Sequence, residues 1–390
     1  MANFSNGSLL HLSTVVGEVK KIGYPLMIGV GMTGNLLSFL VFLTTHLRRQ
    51  SSSIYLASLA AVDFGYLITM ICTWLNHLGL EVLNQSGPCQ LIIYLKSVFG
   101  FLSVYNVVSF TVDRFLSIQY PLRRDKYCRP KKAKCVVFSL LLFAIFSYAY
   151  KPFLHDATVI QSRIPGERSS LKCFPKRGDD IEKTIYILEL TDSFLMFVFP
   201  SIIIVVLNIR IALSIRQVHK LVVTKPVVDI LNASTALRRT SMQTSLSSRG
   251  SMHIRFSVRE PDSKDEKRMI GMSKRNLWRA QSSQYKTIRM LLIVSTVFVL
   301  LNMPLHSVRM AAFWLQKKKH DHKMMEFHTM KSLLNIPHDL NFSINFFLYA
   351  VCLRSFRSGL KRLWMRLFYK CSKFRKCLKK SRPPAQVDEL

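Results

Sequence analysis

The sequence predicts an all-α membrane protein, a bundle of seven transmembrane helices followed by a short amphipathic helix on the inner leaflet. Two observations carry this. Seven apolar stretches are each long enough to cross a bilayer, whose hydrocarbon core takes about 20 helical residues. Lys and Arg are also concentrated in alternate connectors. The stretches fall near Ile22–Thr45, Ile54–Asn76, Leu91–Ile118, Ala133–Phe153, Ile185–Ile215, Ile288–Leu315 and Phe327–Leu353. In lipid the backbone must satisfy its own hydrogen bonds, which makes each stretch a helix. An odd number of crossings puts the termini on opposite sides.

Residues 1–21 form an expected outer N-terminal segment, with glycosylation sequons at Asn3 and Asn6. The first apolar run is too long for a signal h-region, so span one is expected to act as its own insertion signal. The first inner connector carries Arg48 and Arg49, and the second carries Arg123, Arg124, Lys126, Arg129, Lys131, Lys132 and Lys134. The outer connector Asn76–Cys89 has neither Lys nor Arg, and it holds a third sequon at Asn84. Cytoplasmic retention of Lys and Arg then predicts a plasma-membrane protein with its N-terminus extracellular. Lys20, Lys21 and Lys317–Lys319 run against the bias without reversing it. This topology also accounts for the formal charge of +33, which in a soluble chain would point to nucleic acid; no nucleic-acid partner is expected here.

Of the eight cysteines, Cys89 and Cys173 form the one outer pair, where a disulfide persists. The expected bridge ties the top of span three to the connector after span four; the alternative is two free thiols. Residues 219–278 are rich in Ser, Arg and Lys and read as a disordered cytoplasmic loop containing Arg238-Arg239-Thr240-Ser241, a basophilic-kinase pattern. Asn232 fits the sequon pattern but is cytoplasmic and expected bare. Over 354–368, Phe356, Leu360, Leu363, Trp364 and Leu367 repeat at helical spacing opposite Arg357, Lys361, Arg362 and Arg366. That pattern is an interfacial helix on anionic lipid. In the tail, 369–390, Cys371 and Cys377 are either palmitoylated or simply reduced.

Ionisable and amide side chains at membrane depth are costly and usually face the bundle interior. They are Asn35, Asp63, Lys96, Ser103, Asn106, Asp113-Arg114, Glu189, Asp192, Asn208, Asn302, Asp339, Asn341 and Asn345. Set in this order, they resemble the rhodopsin-like G-protein-coupled receptors. The resemblance rests on Gly34-Asn35, Leu59-Ala60-Ala61-Val62-Asp63, Cys89 followed by Asp113-Arg114-Phe115, Pro200, Phe298 with Pro304, Asn345 with Tyr349, and Phe356. It covers nearly all of the chain outside the third inner loop and tail. Asn345-Phe-Phe-Leu-Tyr349 is most similar to invertebrate neuropeptide receptors. Four positions depart from the family: Asn302 stands for the usual Trp, Phe346 for Pro, and Asn208 for Tyr, and span four lacks its Trp.

The resemblance implies roles. Asp113, Arg114, Phe115, Leu122 and Tyr349 would serve G-protein coupling, with Arg114 pairing locally at rest and swinging out when active. The rival role for Arg114 is a snorkelling anchor. Asp63, Ser103, Asn341 and Asn345 would form a mid-membrane network, holding either an allosteric sodium ion or only water. Lys96, Asp192, Glu189, Arg309, Asn335, Asp339 and His77 are the candidate ligand contacts. A buried Lys96 and Asp339 would each be too costly alone, so an ion pair between them is predicted, with Asp192 or Glu189 as rival partners for Lys96. The basic outer rim, with Lys331, Arg163, Arg168, Lys172, Lys176 and Arg177, suits a peptide ligand. The expected partners are that peptide, a heterotrimeric G protein, arrestin, receptor kinases and membrane lipids. A lipid or small organic anion is the second ligand class. A seven-span transporter or channel is the alternative of another kind, but no inverted repeat is visible. No nucleophile–base or metal-ligand cluster points to an enzyme.

Overall fold

The computed structural model describes residues 2–80, 82–120, 123–160, 170–176, 178–224, 289–311 and 323–380. The first helix, α1, spans Ala2–Thr44 with Pro25 inside it. It starts well before the expected Ile22, so residues 2–21 continue the first helix. The physical reason is packing. Val16 and Lys20 are buried, and Lys20 Nζ donates to Ser332 Oγ at 2.6 Å. The side chains of Asn3 and Asn6 lie outside the description.

After a short turn at His46–Arg49 comes α2, Ser51–His77. Its apolar window is 72% buried, against 17% for α4, Pro130–Ser147; α2 is therefore central and α4 peripheral. α3 runs Pro88–Gln119, with Pro88 in its first turn, where the missing N–H is no loss. Gly87 precedes it at φ 95°, a conformation other residues resist. α1 approaches the last membrane helix closely at Gly34, where a Cβ would sit 2.7 Å from Phe346 Cβ. Small residues permit such contacts between membrane helices.

Beyond α4 and a turn at Lys151–Leu154, strands β1 (His155–Ile160) and β2 (Ser170–Pro175) pair antiparallel, with Ala157 opposite Cys173. The Cys89–Cys173 disulfide joins this hairpin to the start of α3. Asn84, the third sequon, is 6% exposed and its Oδ1 accepts the Cys173 N–H at 3.3 Å, which ties its side chain to the hairpin.

α5 comprises Asp179–Ser193, a π-helical turn Phe194–Val198, and Phe199–Thr224. Pro200 has no N–H for the carbonyl four residues back, and the wider turn just before it absorbs that mismatch. α6 is Arg289–Ala311 and α7 is Lys323–Cys352, with Pro337 inside. Six described helices are long and apolar enough to span a membrane, α1 to α6; α7 carries many polar residues and completes the bundle.

α8 runs Arg354–Lys380, longer than the expected 354–368. Phe356 anchors it, buried against Phe42 and Tyr349 at ring distances of 5.4 and 5.8 Å. Arg357 donates to the Ala350 and Val351 carbonyls, both at 2.7 Å, satisfying the free end of α7. Cys371 and Cys377 lie on this helix, but their side chains are outside the description. So are Leu122, most of the 219–278 loop with Ser241 and Asn232, the tail beyond 380, and the His77 side chain.

Candidate ligand cavity and cytoplasmic switch

At the disulfide-capped end, α2, α3, α5, α6 and α7 enclose a cavity of about 190 Å³. Four of the sequence-predicted ligand residues line it: Lys96, Glu189, Asp192 and Arg309. Asn335 sits half-buried on α7 outside the lining, and Asp339 lies behind it.

The predicted Lys96–Asp339 ion pair is not made: among the described residues no salt bridge within 4.0 Å joins them. Tyr66 takes the place of direct contact. Its hydroxyl donates to Asp339 Oδ1 at 3.0 Å, while Lys96 Nζ sits 5.4 Å from its ring centroid. Tyr24 donates to Asp339 Oδ2 at 2.9 Å, and His338 Nδ1 lies 3.3 Å from Oδ1. These short donors meet the carboxylate better than a long ammonium, and they tie α1, α2 and α7 together. Among the described residues neither rival, Asp192 or Glu189, forms a salt bridge with Lys96. Asp192 accepts from Tyr148 at 2.5 Å and pairs with Lys151 at 3.5 Å.

At mid-membrane, Ser103 Oγ donates to Asp63 Oδ1 and Asn345 Nδ2 to Asp63 Oδ2, both at 2.7 Å. Asn341 contributes its backbone carbonyl, which accepts from Asn345 at 3.3 Å. Phe342 contributes its carbonyl to Asn35 Nδ2 at 2.8 Å and stacks on Tyr66 at 3.5 Å. Both oxygens of Asp63 are thus engaged by donors, one of them the Ser103 hydroxyl. Oxygen-rich ligation is what a hard cation needs. The residues present form a hydrogen-bonded carboxylate network around Asp63.

At the far end of α3, Arg114 Nη2 and Nε donate to Asp113 Oδ2 at 2.6 and 3.2 Å, with side chains only 10% and 6% exposed. Phe115 packs against the lower core, and Tyr349 is fully buried against Phe42. Cys128 Sγ donates to the Asp113 carbonyl at 3.4 Å; burial, then the nearby Asp113 carboxylate, pushes this thiol up to about 11. Two cross-links hold α5 on this side: Ser214 Oγ donates to Gln119 at 2.9 Å, and Asn208 Nδ2 donates to Ser295 Oγ at 2.7 Å. Asn208 thereby has a partner at the position where the family often places Tyr.

A cavity at one end of a helix bundle and a closed Asp-Arg pair at the other is the layout of a signalling receptor. The family profile described as 7 transmembrane receptor (rhodopsin family) matches residues 34–338. The chain belongs to that family. Among its relatives, the cysteinyl leukotriene receptor 1 of Sus scrofa is 24% identical over 201 residues, 50% of this chain and 56% of that one. The FMRFamide peptide receptor frpr-18 of Caenorhabditis elegans is 27% identical over 139 residues, 34% and 32% of the two chains. The thyrotropin-releasing hormone receptor of Gallus gallus is 26% identical over 187 residues, 47% and 45%. The chain spans about half the length, or less, of these curated relatives.

Some cavity residues of this receptor escaped the sequence reading: Lys151, His306, His338 and Tyr66. Lys331 was legible as a basic rim position. Lys151, closing span four, carried no motif, and His338 was overshadowed by Asp339 beside it.

Proposed function

We propose that this multi-pass membrane protein is a G-protein-coupled receptor for an extracellular peptide, sited in the plasma membrane with its N-terminus outside. The observation that carries this is a single helix, α3, that lines the cavity with Lys96 and closes on the Asp113–Arg114 pair. Eighteen residues separate Lys96 from Arg114, about 27 Å at 1.5 Å per residue. A ligand that binds one arrangement of the bundle better than another shifts the population by its difference in affinity. Freed from Asp113, the Arg114 guanidinium becomes available to an incoming G protein. The basic second inner loop supports docking of an acidic partner surface, and Leu122 would be the apolar knob in that contact. Arrestin and receptor kinases would follow as partners of the activated state.

The peptide reading is supported by the mixed charge of the cavity and by relatives named for FMRFamide, thyrotropin-releasing hormone and somatostatin. The surplus of cations and the leukotriene-receptor relatives favour a second reading, a lipid or small organic anion. Expression with a promiscuous G protein and a calcium readout, challenged with peptide and lipid libraries, tests both. A peptide response is expected. Response only to lipids or organic acids replaces the first reading by the second, and silence with verified surface expression refutes both.

A further inference from the structure

The cavity holds four fixed cations and two carboxylates in its walls, and its positive charges are unequally served. Lys151 is satisfied by Asp192. The other three, Lys96, Arg309 and Lys331, make no hydrogen bond or ion pair with any described residue. Lys96 faces the Tyr66 ring, with the Asp339 carboxylate as a nearby counter-charge that it does not contact. Arg309 Nε is buried without a partner. Beside it lies His306, 3% exposed, its ring stacked on Phe197 at 5.2 Å and its Nδ1 also unpartnered.

A buried donor left unmade costs about 1–3 kcal/mol, and more for a charged group. Gathering several such groups around one cavity adds mutual repulsion in a medium that screens poorly. Structural cores avoid this. Binding sites keep it, because the ligand brings the missing acceptor.

We propose that the ligand enters with an oxyanion, a carboxylate above all, held by Arg309 of α6 and Lys331 of α7 with His306 alongside. The assignment rests on the receptor reading above and deepens it. Guanidinium presents a planar fork that matches two carboxylate oxygens, and lysine adds a mobile point charge. Lys96, across the cavity on α3, is placed to take a second acceptor of the same ligand. Two sources supply this chemistry, a peptide's C-terminal or side-chain carboxylate and a carboxylated lipid.

The test uses the full chain in cells with a promiscuous G protein. They are challenged with matched pools: peptides as C-terminal acids and as amides, each with Asp and Glu or with Asn and Gln, and fatty and eicosanoid acids with their methyl esters. The expected result is an agonist that loses at least tenfold in potency when its carboxylate is capped. It also loses at least tenfold in Arg309→Gln, while the capped agonist does not distinguish variant from wild type. Surface staining of a tag confirms expression, and Lys331→Gln gives the same comparison if Arg309→Gln fails to reach the surface. Which pool responds identifies the source. An agonist indifferent to capping and to both substitutions overturns the oxyanion site and leaves the receptor reading standing. Silence to every pool overturns both.

Discussion

The buried Asp339 knot gives the sharpest stability prediction. In Asp339→Ala, the hydroxyls of Tyr24 and Tyr66 and the ring of His338 lose their common acceptor, and Tyr24 and Tyr66 are both in the core. Hydrogen bonds to a charged group contribute about 1.5–3 kcal/mol each, so the two tyrosines alone account for about 3–6 kcal/mol. Lys96 also loses its nearby counter-charge. The purified receptor should melt on the order of 10 °C lower, taking about 2–4 °C per kcal/mol, and surface expression should fall. Adding Tyr24→Phe and Tyr66→Phe to Asp339→Ala removes the orphaned donors and should recover part of the loss. Exchanging the charges, Lys96→Asp with Asp339→Lys, should not, because Tyr66 lies between them. Two results would refute this account: an Asp339→Ala receptor melting within 2 °C of wild type, or full rescue by the charge exchange.

Asp113→Asn keeps the size of the side chain but weakens the bond to Arg114 by about 1.4–3 kcal/mol, a 10- to 150-fold shift of the resting equilibrium. Ligand-free nucleotide exchange on a G protein, normalised to surface expression, should rise; unchanged basal activity would show that Arg114 is held by something else. Because Asp63 is satisfied by Ser103 and Asn345, replacing NaCl with equimolar KCl should leave the melting temperature unaltered. A sodium-selective increase lost in Asp63→Asn would contradict that. Removing both N-terminal sequons, with Asn3→Gln and Asn6→Gln, should abolish any mobility shift on glycosidase treatment, since Asn84 is engaged with Cys173. A remaining shift that disappears with Asn84→Gln would show the amide to be accessible. The Cys128 thiol, raised from its ordinary 9.0 to about 11, stays protonated at pH 7.5 and gains thiolate only as pH climbs toward that value. Its alkylation in inside-out membranes should therefore be slow at neutral pH and still accelerating above pH 9; a plateau below pH 9 would sink the assignment.

Much of the architecture could be read before any coordinate. Apolar length gave the spans to within a few residues for α2 to α4. The compartment argument pairing Cys89 with Cys173 matches the disulfide in the structure. The boundary errors share one cause. Residues 2–21 and 369–380 lack the continuous apolar run of a span, so hydropathy alone did not mark them; at the N-terminal end the added helix is held by contacts such as Lys20 with Ser332. Asn84 matched a three-residue pattern, while its burial depended on a hairpin about 90 residues away.

The ligand end shows the same division. The family resemblance implied Lys96, Glu189, Asp192 and Arg309 as ligand contacts, and the structure gathers them around one cavity. It could not rank partners for a buried charge. Lys96 and Asp339 were matched because opposite charges in lipid need each other, a correct account of cost but not of geometry.

By itself the sequence determined the membrane spans and the family, because these depend on transfer energies and motif placement summed over tens of residues. Only the tertiary structure decided that Tyr66 rather than Lys96 bonds Asp339, that Asn345 and Ser103 donate to the two oxygens of Asp63, and that Arg309 finds no acceptor among the described residues. Such outcomes turn on differences of an ångström between side chains from different helices, and hydrogen bonding falls away too steeply with distance for residue order to reveal them.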